Sequence, residues 1–271
     1  MRLSPGLLLG LLFSAVPLIS APVGPGLLLP SGAKAAWVLA PGKALPAVTR
    51  FDIDAGGGLW LLPVPRVLTR GDGLSLVMEK EVRDLAFAPG SLRLVTDSVA
   101  GSLRLKKHKA GLAGQVQPKL ILPSPAWRLA KGGPDGVVAF GWEADNARSV
   151  LYRVDDRRKV LVWPERVLAA EGTASSWFLA TPSGIVRVSR QGQASRWGSL
   201  PGGVSSLAWV EGAGLVAAGP QGAALFRNAG NLQPLVVAKS PRVRAHSGAL
   251  YVLLPEQGGV LKITGLAAPA P

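Results

Sequence analysis

An internal repeat limits this chain to very few folds. A polar turn, a short apolar strand, a second turn and a strand carrying Arg or Lys recur about every 33–45 residues. The cores of the six copies are Gly58-Leu59-Trp60-Leu61, Leu92-Arg93-Leu94-Val95, Gly136-Val137-Val138-Ala139, Trp177-Phe178-Leu179-Ala180, Gly214-Leu215-Val216-Ala217 and Ala249-Leu250-Tyr251-Val252. A unit of that length holds about four short strands, and a lone unit cannot bury its apolar face, so neighbouring copies must pack on one another. The expected fold is all-β, a six-bladed β-propeller with one copy per four-stranded blade.

The sixth copy runs out after its third strand, Val260-Leu261-Lys262-Ile263, while a spare strand, Ala36-Trp37-Val38-Leu39-Ala40, precedes the first copy. Three strands at the end and one at the start make a complete blade, so the ring is expected to close through the N-terminal strand and leave no open edge. The boundaries that follow are blades at about 47–82, 83–124, 125–165, 166–202, 203–240 and 241–267 plus 36–40, with a tail at 268–271. Within the second blade, the insertion from Lys106 to Gln117 reads as a long basic loop.

Residues 7–29 are almost uncharged and rich in Leu, with Arg2 in front of them. Pro17, Pro22 and Pro25 interrupt the run, which disfavours a spanning helix. Ala33-Lys34-Ala35 supplies the small residues of a processing site, so residues 1–35 are expected to be an export leader cleaved after Ala35, giving a periplasmic or secreted protein. Cleavage after Ala21 and an uncleaved anchor are the alternatives. There is no cysteine, which removes disulfides, thiolate metal sites and cysteine nucleophiles together. The formal net charge of +14 favours acidic partners through long-range attraction, and loss of Arg2 and Lys34 with a leader would change it little.

No catalytic motif stands out. His108 and His246 are the only histidines, too few for an ordinary zinc site in a chain without cysteine. Gly56-Gly57-Gly58 and Gly71-Asp72-Gly73 read as hairpin turns, because no helix follows to hold a phosphate. Asp145-Asn146 and Asp155-Asp156 lack the alternating oxygen ligands of a calcium loop.

One recurring position carries charge. The third strands hold Arg104, Arg153, Arg187, Arg227 and Lys262, from which a cationic band around the ring is expected; Lys106 and Lys107 are further binding candidates, and Arg157, Arg158, Lys159, Lys239, Arg242 and Arg244 add cations that together could engage phosphate or carboxylate groups. Among the tryptophans, Trp60, Trp177 and Trp209 sit at expected core positions, whereas Trp142 and Trp197 are the surface candidates. Two tyrosines are too few for an aromatic base-stacking platform, so nucleic acid is disfavoured as a partner.

The blade pattern, Val-x-x-Leu-Ala, a Gly turn and then Leu with Trp, Val or Tyr, as in Val204 to Val216, resembles bacterial propellers of the NHL, SMP-30 and two-component-regulator-propeller superfamily. The resemblance implies a six-bladed fold. It also implies, for lactonase members, a divalent metal held by Glu, Asn and Asp on inner strands. Here Asn146, Asn228 and Asn231 fall in turns or outer segments, and Asp52 and Asp54 read as a solvated strand end. No cofactor or metal is therefore expected. The expected function is a non-catalytic scaffold of the bacterial envelope, binding a protein with an acidic surface. The alternatives are a binder of polyanions (lipopolysaccharide, anionic lipid or an acidic polymer) and an SMP-30-like metal-dependent hydrolase or lactonase.

Overall fold

The structure is a computed structural model describing residues 26–41, 48–88, 90–108, 111–124 and 126–267. Most of the expected leader and the tail at 268–271 lie outside the described residues. The strands follow the repeat. After β1 (Lys34–Leu39), the first meander is β2 (Arg50–Ile53), β3 (Leu59–Val64), β4 (Val67–Arg70) and β5 (Ser75–Met78). The second is β6 (Asp84–Ala88), β7 (Ser91–Val95), β8 (Val99–His108) and β9 (Gly111–Ile121). The third is β10 (Arg128–Lys131), β11 (Val137–Glu143), β12 (Arg148–Arg153) and β13 (Lys159–Trp163). The fourth is β14 (Ala169–Gly172), β15 (Ser176–Thr181), β16 (Gly184–Ser189) and β17 (Ala194–Gly198). The fifth is β18 (Ser206–Val210), β19 (Gly214–Gly219), β20 (Gly222–Phe226) and β21 (Leu232–Val237), and the chain ends with β22 (Arg242–His246), β23 (Ala249–Leu254) and β24 (Gly259–Thr264).

Glycine and aspartate set the turns. Asp54 Oδ1 accepts the backbone N–H groups of Gly56 at 3.0 Å and Gly58 at 2.7 Å, and its Oδ2 accepts the indole N–H of Trp60 at 3.0 Å. One carboxylate thus fixes the β2–β3 turn and the first core tryptophan. Gly214 opens β19 at φ 128, where a Cβ would lie 2.4 Å from the Phe226 carbonyl oxygen, so only glycine fits.

The first strands of the meanders, β2, β6, β10, β14, β18 and β22, contact one another in that order and return to β2, closing a ring. Six apolar clusters fill the junctions between successive meanders. Trp127, 1% exposed, belongs to the second junction; Trp177, 2% exposed, belongs to the fourth sheet's packing on the third. Polar latches cross the junctions as well. Asp52 Oδ2 accepts Phe87 N–H at 2.7 Å, Asp84 Oδ2 accepts Leu129 N–H at 2.9 Å, Glu171 Oε1 accepts Trp209 N–H at 3.4 Å and Ser206 Oγ accepts Val243 N–H at 3.1 Å. Each ties one inner strand to the next, satisfying a backbone donor that the ring would otherwise bury unpaired.

β1 pairs antiparallel with β24, from Lys34↔Thr264 to Leu39↔Val260, and completes the sheet β1-β24-β23-β22. The expected strand 36–40 is shifted two residues toward the N-terminus at its start. Upstream, Leu28 N–H donates to Leu235 O at 2.8 Å and Val237 N–H to Gly26 O at 2.7 Å, while Leu27, Leu29 and Ala33 pack on the adjoining core. A cut after Ala35 would therefore fall inside β1.

Two expectations are corrected. The insertion expected as a loop over Lys106 to Gln117 is strand at 106–108 and 111–117: β8 and β9 pair from Val99↔Ile121 to His108↔Gly111. That hairpin reaches the first meander, where β5 and β9 pair in parallel at Val77↔Ala113 and Met78↔Gly114. Hydrogen bonding accordingly joins the first two meanders into one eight-stranded sheet, beside four four-stranded sheets.

Candidate functional site at the ring axis

The inner strands all start at one mouth of the axial channel and end at the other. At the starting mouth, the first residues of β2, β6, β10 and β22 are Arg50, Asp84, Arg128 and Arg242. They line a narrow throat of about 30 Å3 together with Ser206. The throat shares Arg50 and Arg128 with a wider cavity of about 460 Å3, whose wall includes Trp142, Arg166 and Arg83. Burial, then the Arg50 and Arg128 charges, bring the Arg242 guanidinium down to about 10; it stays charged at neutral pH. Burial and the Arg50 charge likewise lower Arg128.

Further along the axis lie Asp52, Lys131 and Arg244. Lys131 Nζ is 2.9 Å from Asp52 Oδ1 and 3.3 Å from the Ala245 carbonyl oxygen, and Arg244 Nε is 3.9 Å from the same Asp52 atom. Lys131 therefore links β10 to β22 and to Asp52 of β2. Asp52 is fully buried, so its reading as a solvated strand end is corrected: the ring closes over it.

At the finishing mouth, Glu171 and Lys131 line a cavity of about 350 Å3 with Phe87, Trp209 and Glu211. Burial pushes the Glu171 carboxyl up to about 7 against the opposing pull of Lys131 and Arg244. The folded value lies above the ordinary 4.5, so the folded protein holds this proton more tightly than the unfolded chain. The associated stability is complete below 4.5 and fades as pH rises through 7. Between pH 5 and pH 8, wild type is expected to lose up to about 3 kcal/mol relative to Glu171→Gln. Urea unfolding of both proteins at the two pH values measures the difference, and parallel pH dependences would refute it.

The sequence-expected residues are dispersed. Arg104 is exposed on β8 opposite Gln115. Arg153 and Arg158 are drawn to the buried Asp135, at 2.9 and 3.4 Å. Arg187 donates to Ser176 Oγ at 2.9 Å and lies over the Trp197 ring. Lys262 lies over the Tyr251 ring, Arg227 follows β20, and Lys106 meets Glu79 at 3.3 Å. Arg157 donates to Lys119 O at 2.5 Å, and Lys107 is in register with Leu112. These cations occupy third strands and turns of separate sheets, and several already have carboxylate or aromatic partners. Only Trp142 borders an axial cavity. Of the convergent arginines, Arg242 is among the cations the sequence singles out, whereas Arg50 and Arg128 are not; the signal that joins the three is Arg opening an inner strand, in Arg50-Phe51, Arg128-Leu129 and Arg242-Val243.

The implied metal does not fit. The inner-strand carboxylates Asp52, Asp84 and Glu171 face Lys131, Arg244 or Arg50, which repel a cation. Among the described residues no group of three His, Cys, Asp or Glu side chains comes together.

No protein-family model matches the chain, and no curated protein does. Solved structures do. An aldose sugar dehydrogenase from Streptomyces coelicolor, solved in a PQQ-bound form, superposes with TM-score 0.61 at 12% identity over 87% of this chain and 99% of that one. A gluconolactonase from Xanthomonas campestris gives 0.61 at 12% identity over 93% and 98%. A putative glucose dehydrogenase from Thermus thermophilus gives 0.55 at 15% identity over 86% and 100%. At these identities the likeness establishes the β-propeller fold. It also corrects the expectation of a non-catalytic scaffold, since the chain is similar in fold to sugar-directed enzymes, and that expectation rested on no convergent site.

Proposed function

We propose that the protein is an enzyme acting on small molecules at the finishing mouth, with lactone or ester hydrolysis as its reaction. Glu171 carries this reading: a buried carboxyl titrating at about 7 on the wall of a roomy cavity. A group with that affinity can take a proton at neutral pH and return it. Glu171 removes a proton from water as the water oxygen bonds to the carbonyl carbon. Lys131 stabilises the resulting oxyanion. The ring C–O bond then breaks, and the alkoxide takes the proton back from Glu171, leaving alcohol and acid. Phe87 and Trp209 give the cavity flat apolar walls suited to a sugar ring. The fold likeness to a gluconolactonase supports the choice of reaction.

Hydrolysis of δ-gluconolactone at pH 7, with and without chelator, tests the reading. The expected result is turnover above background that chelator leaves unchanged, falling at least about 100-fold in Glu171→Gln. Turnover in Glu171→Gln equal to wild type, or loss on chelation, would overturn it.

We also read the eight-stranded sheet as two blades joined at their edges, six in all, because six junction clusters surround the ring. The packing of residues 26–35 supports an export leader cleaved after Ala21 rather than Ala35.

A further inference from the structure

The starting mouth poses an electrostatic problem that the proposed chemistry at the other end leaves unsolved. Arg50, Arg128 and Arg242 converge there from three inner strands, close enough that each of the first two depresses proton binding on Arg242. Among the described residues lining the throat, Asp84 is the carboxylate that offsets them: Arg50 Nε lies 3.5 Å from Asp84 Oδ1. Among the described residues, Arg128 and Arg242 have no carboxylate partner; Arg128 donates to Leu168 O and Arg242 to Ser205 O, each at 2.9 Å. A guanidinium carries five donors, so most of their capacity remains open. Like charges gathered in a half-buried throat raise the free energy of the empty site, and an anion lowers it.

Size and shape narrow the ligand. About 30 Å3 holds little more than a pair of waters, enough for one carboxylate or phosphate oxygen face but not for a molecular body. The body has its own space, the adjoining cavity of about 460 Å3, where Trp142 offers a ring face and Arg166 a further charge. Arg83 on that wall is already engaged by Asp97 and also feels the charge of Glu81, the carboxylate of the same wall. The arginines of the throat repel cations and attract anions.

We infer that the Arg50–Arg128–Arg242 throat binds the carboxylate or phosphate group of a small organic molecule whose body rests in the Trp142 cavity. This site lies at the opposite end of the axis from Glu171, so it stands or falls independently of the hydrolase reading. Arginine forks select oxyanions by paired donors as well as by charge.

Calorimetric titration of the full chain tests it, with gluconate, glucose 6-phosphate, inorganic phosphate and neutral glucose as probes. The organic anions are expected to bind, neutral glucose at least tenfold more weakly, and inorganic phosphate more weakly than glucose 6-phosphate. Arg242→Gln is expected to weaken the organic anions at least tenfold. Arg166→Gln, at an exposed position that leaves the throat intact, is expected to weaken them several-fold without changing the unfolding midpoint, and Glu171→Gln should leave them unchanged. Binding of no organic anion, equal binding of glucose, or unchanged affinity in both folded arginine variants would overturn the inference. Inorganic phosphate binding as tightly as glucose 6-phosphate would overturn the part assigned to the Trp142 cavity.

Discussion

A chain beginning at Pro41 is expected to lose cooperative unfolding, whereas one beginning at Pro22 should unfold in a single transition. Removing β1 exposes the backbone edge of β24 along Val260 to Thr264 and leaves the last sheet with three strands. It also uncovers the apolar surface held by Leu27, Leu29 and Trp37 on one side and Leu39 on the other. Partly burying four such side chains contributes about 1–2 kcal/mol each, or about 4–8 kcal/mol together. That approaches the whole stability of an ordinary domain, about 5–15 kcal/mol. A chain starting at Ala36 keeps Trp37 and Leu39 but loses Leu27, Leu29 and the Lys34 and Ala35 pairings, and should fall between the two. Denaturant melts of the three chains measure this. Equal midpoints for the Pro41 and Pro22 chains would show that the ring is not closed by its N-terminal strand.

The second large effect is expected at Asp84. This carboxylate is 3% exposed, accepts the backbone N–H groups of Leu85 and Leu129, and is the nearest negative charge to Arg50. Asp84→Ala removes a junction latch and the carboxylate that lines the throat with the three arginines. Breaking a buried charge pair of this kind costs about 3–5 kcal/mol. In a protein of this size the melting temperature should fall by about 6–20 °C. Asp84→Asn keeps an acceptor for Leu129 and should fall less. Adding Arg50→Gln to Asp84→Asn should recover part of the loss, because it relieves the uncompensated charge; a double-mutant cycle reads that coupling. By contrast, Arg104→Ala on the exposed face of β8 should change stability by less than about 0.5 kcal/mol. An Asp84→Ala melt within about 1 °C of wild type would remove Asp84 from both roles.

The elements most legible in the sequence were those decided locally. Alternation in Val48 to Ile53 and the glycines at 56–58 specify a strand and its turn without reference to anything distant, and β2 and β3 follow. The three-plus-one strand count identified the partner of β1, because an unpaired edge is costly wherever it occurs. The hairpin of β8 and β9 was hidden by the run Lys106-Lys107-His108-Lys109, which reads as a polar loop, and its pairing with β5 of the first meander is a contact between distant segments that local sequence does not show. Asp52 was misread for a related reason: a carboxylate beside apolar residues looks like a strand end until Phe87, Lys131 and Arg244 arrive from other blades.

Strands, turns and the repeat that makes them a ring were written in the order of the amino acids, because they depend on side-chain alternation and glycine placement within a few residues. Which charges meet was set by the closing of the ring. Cations on third strands are carried apart around the circumference, while those that open inner strands are brought together at the axis, so Arg50, Arg128 and Arg242 share a throat although long stretches of sequence separate them.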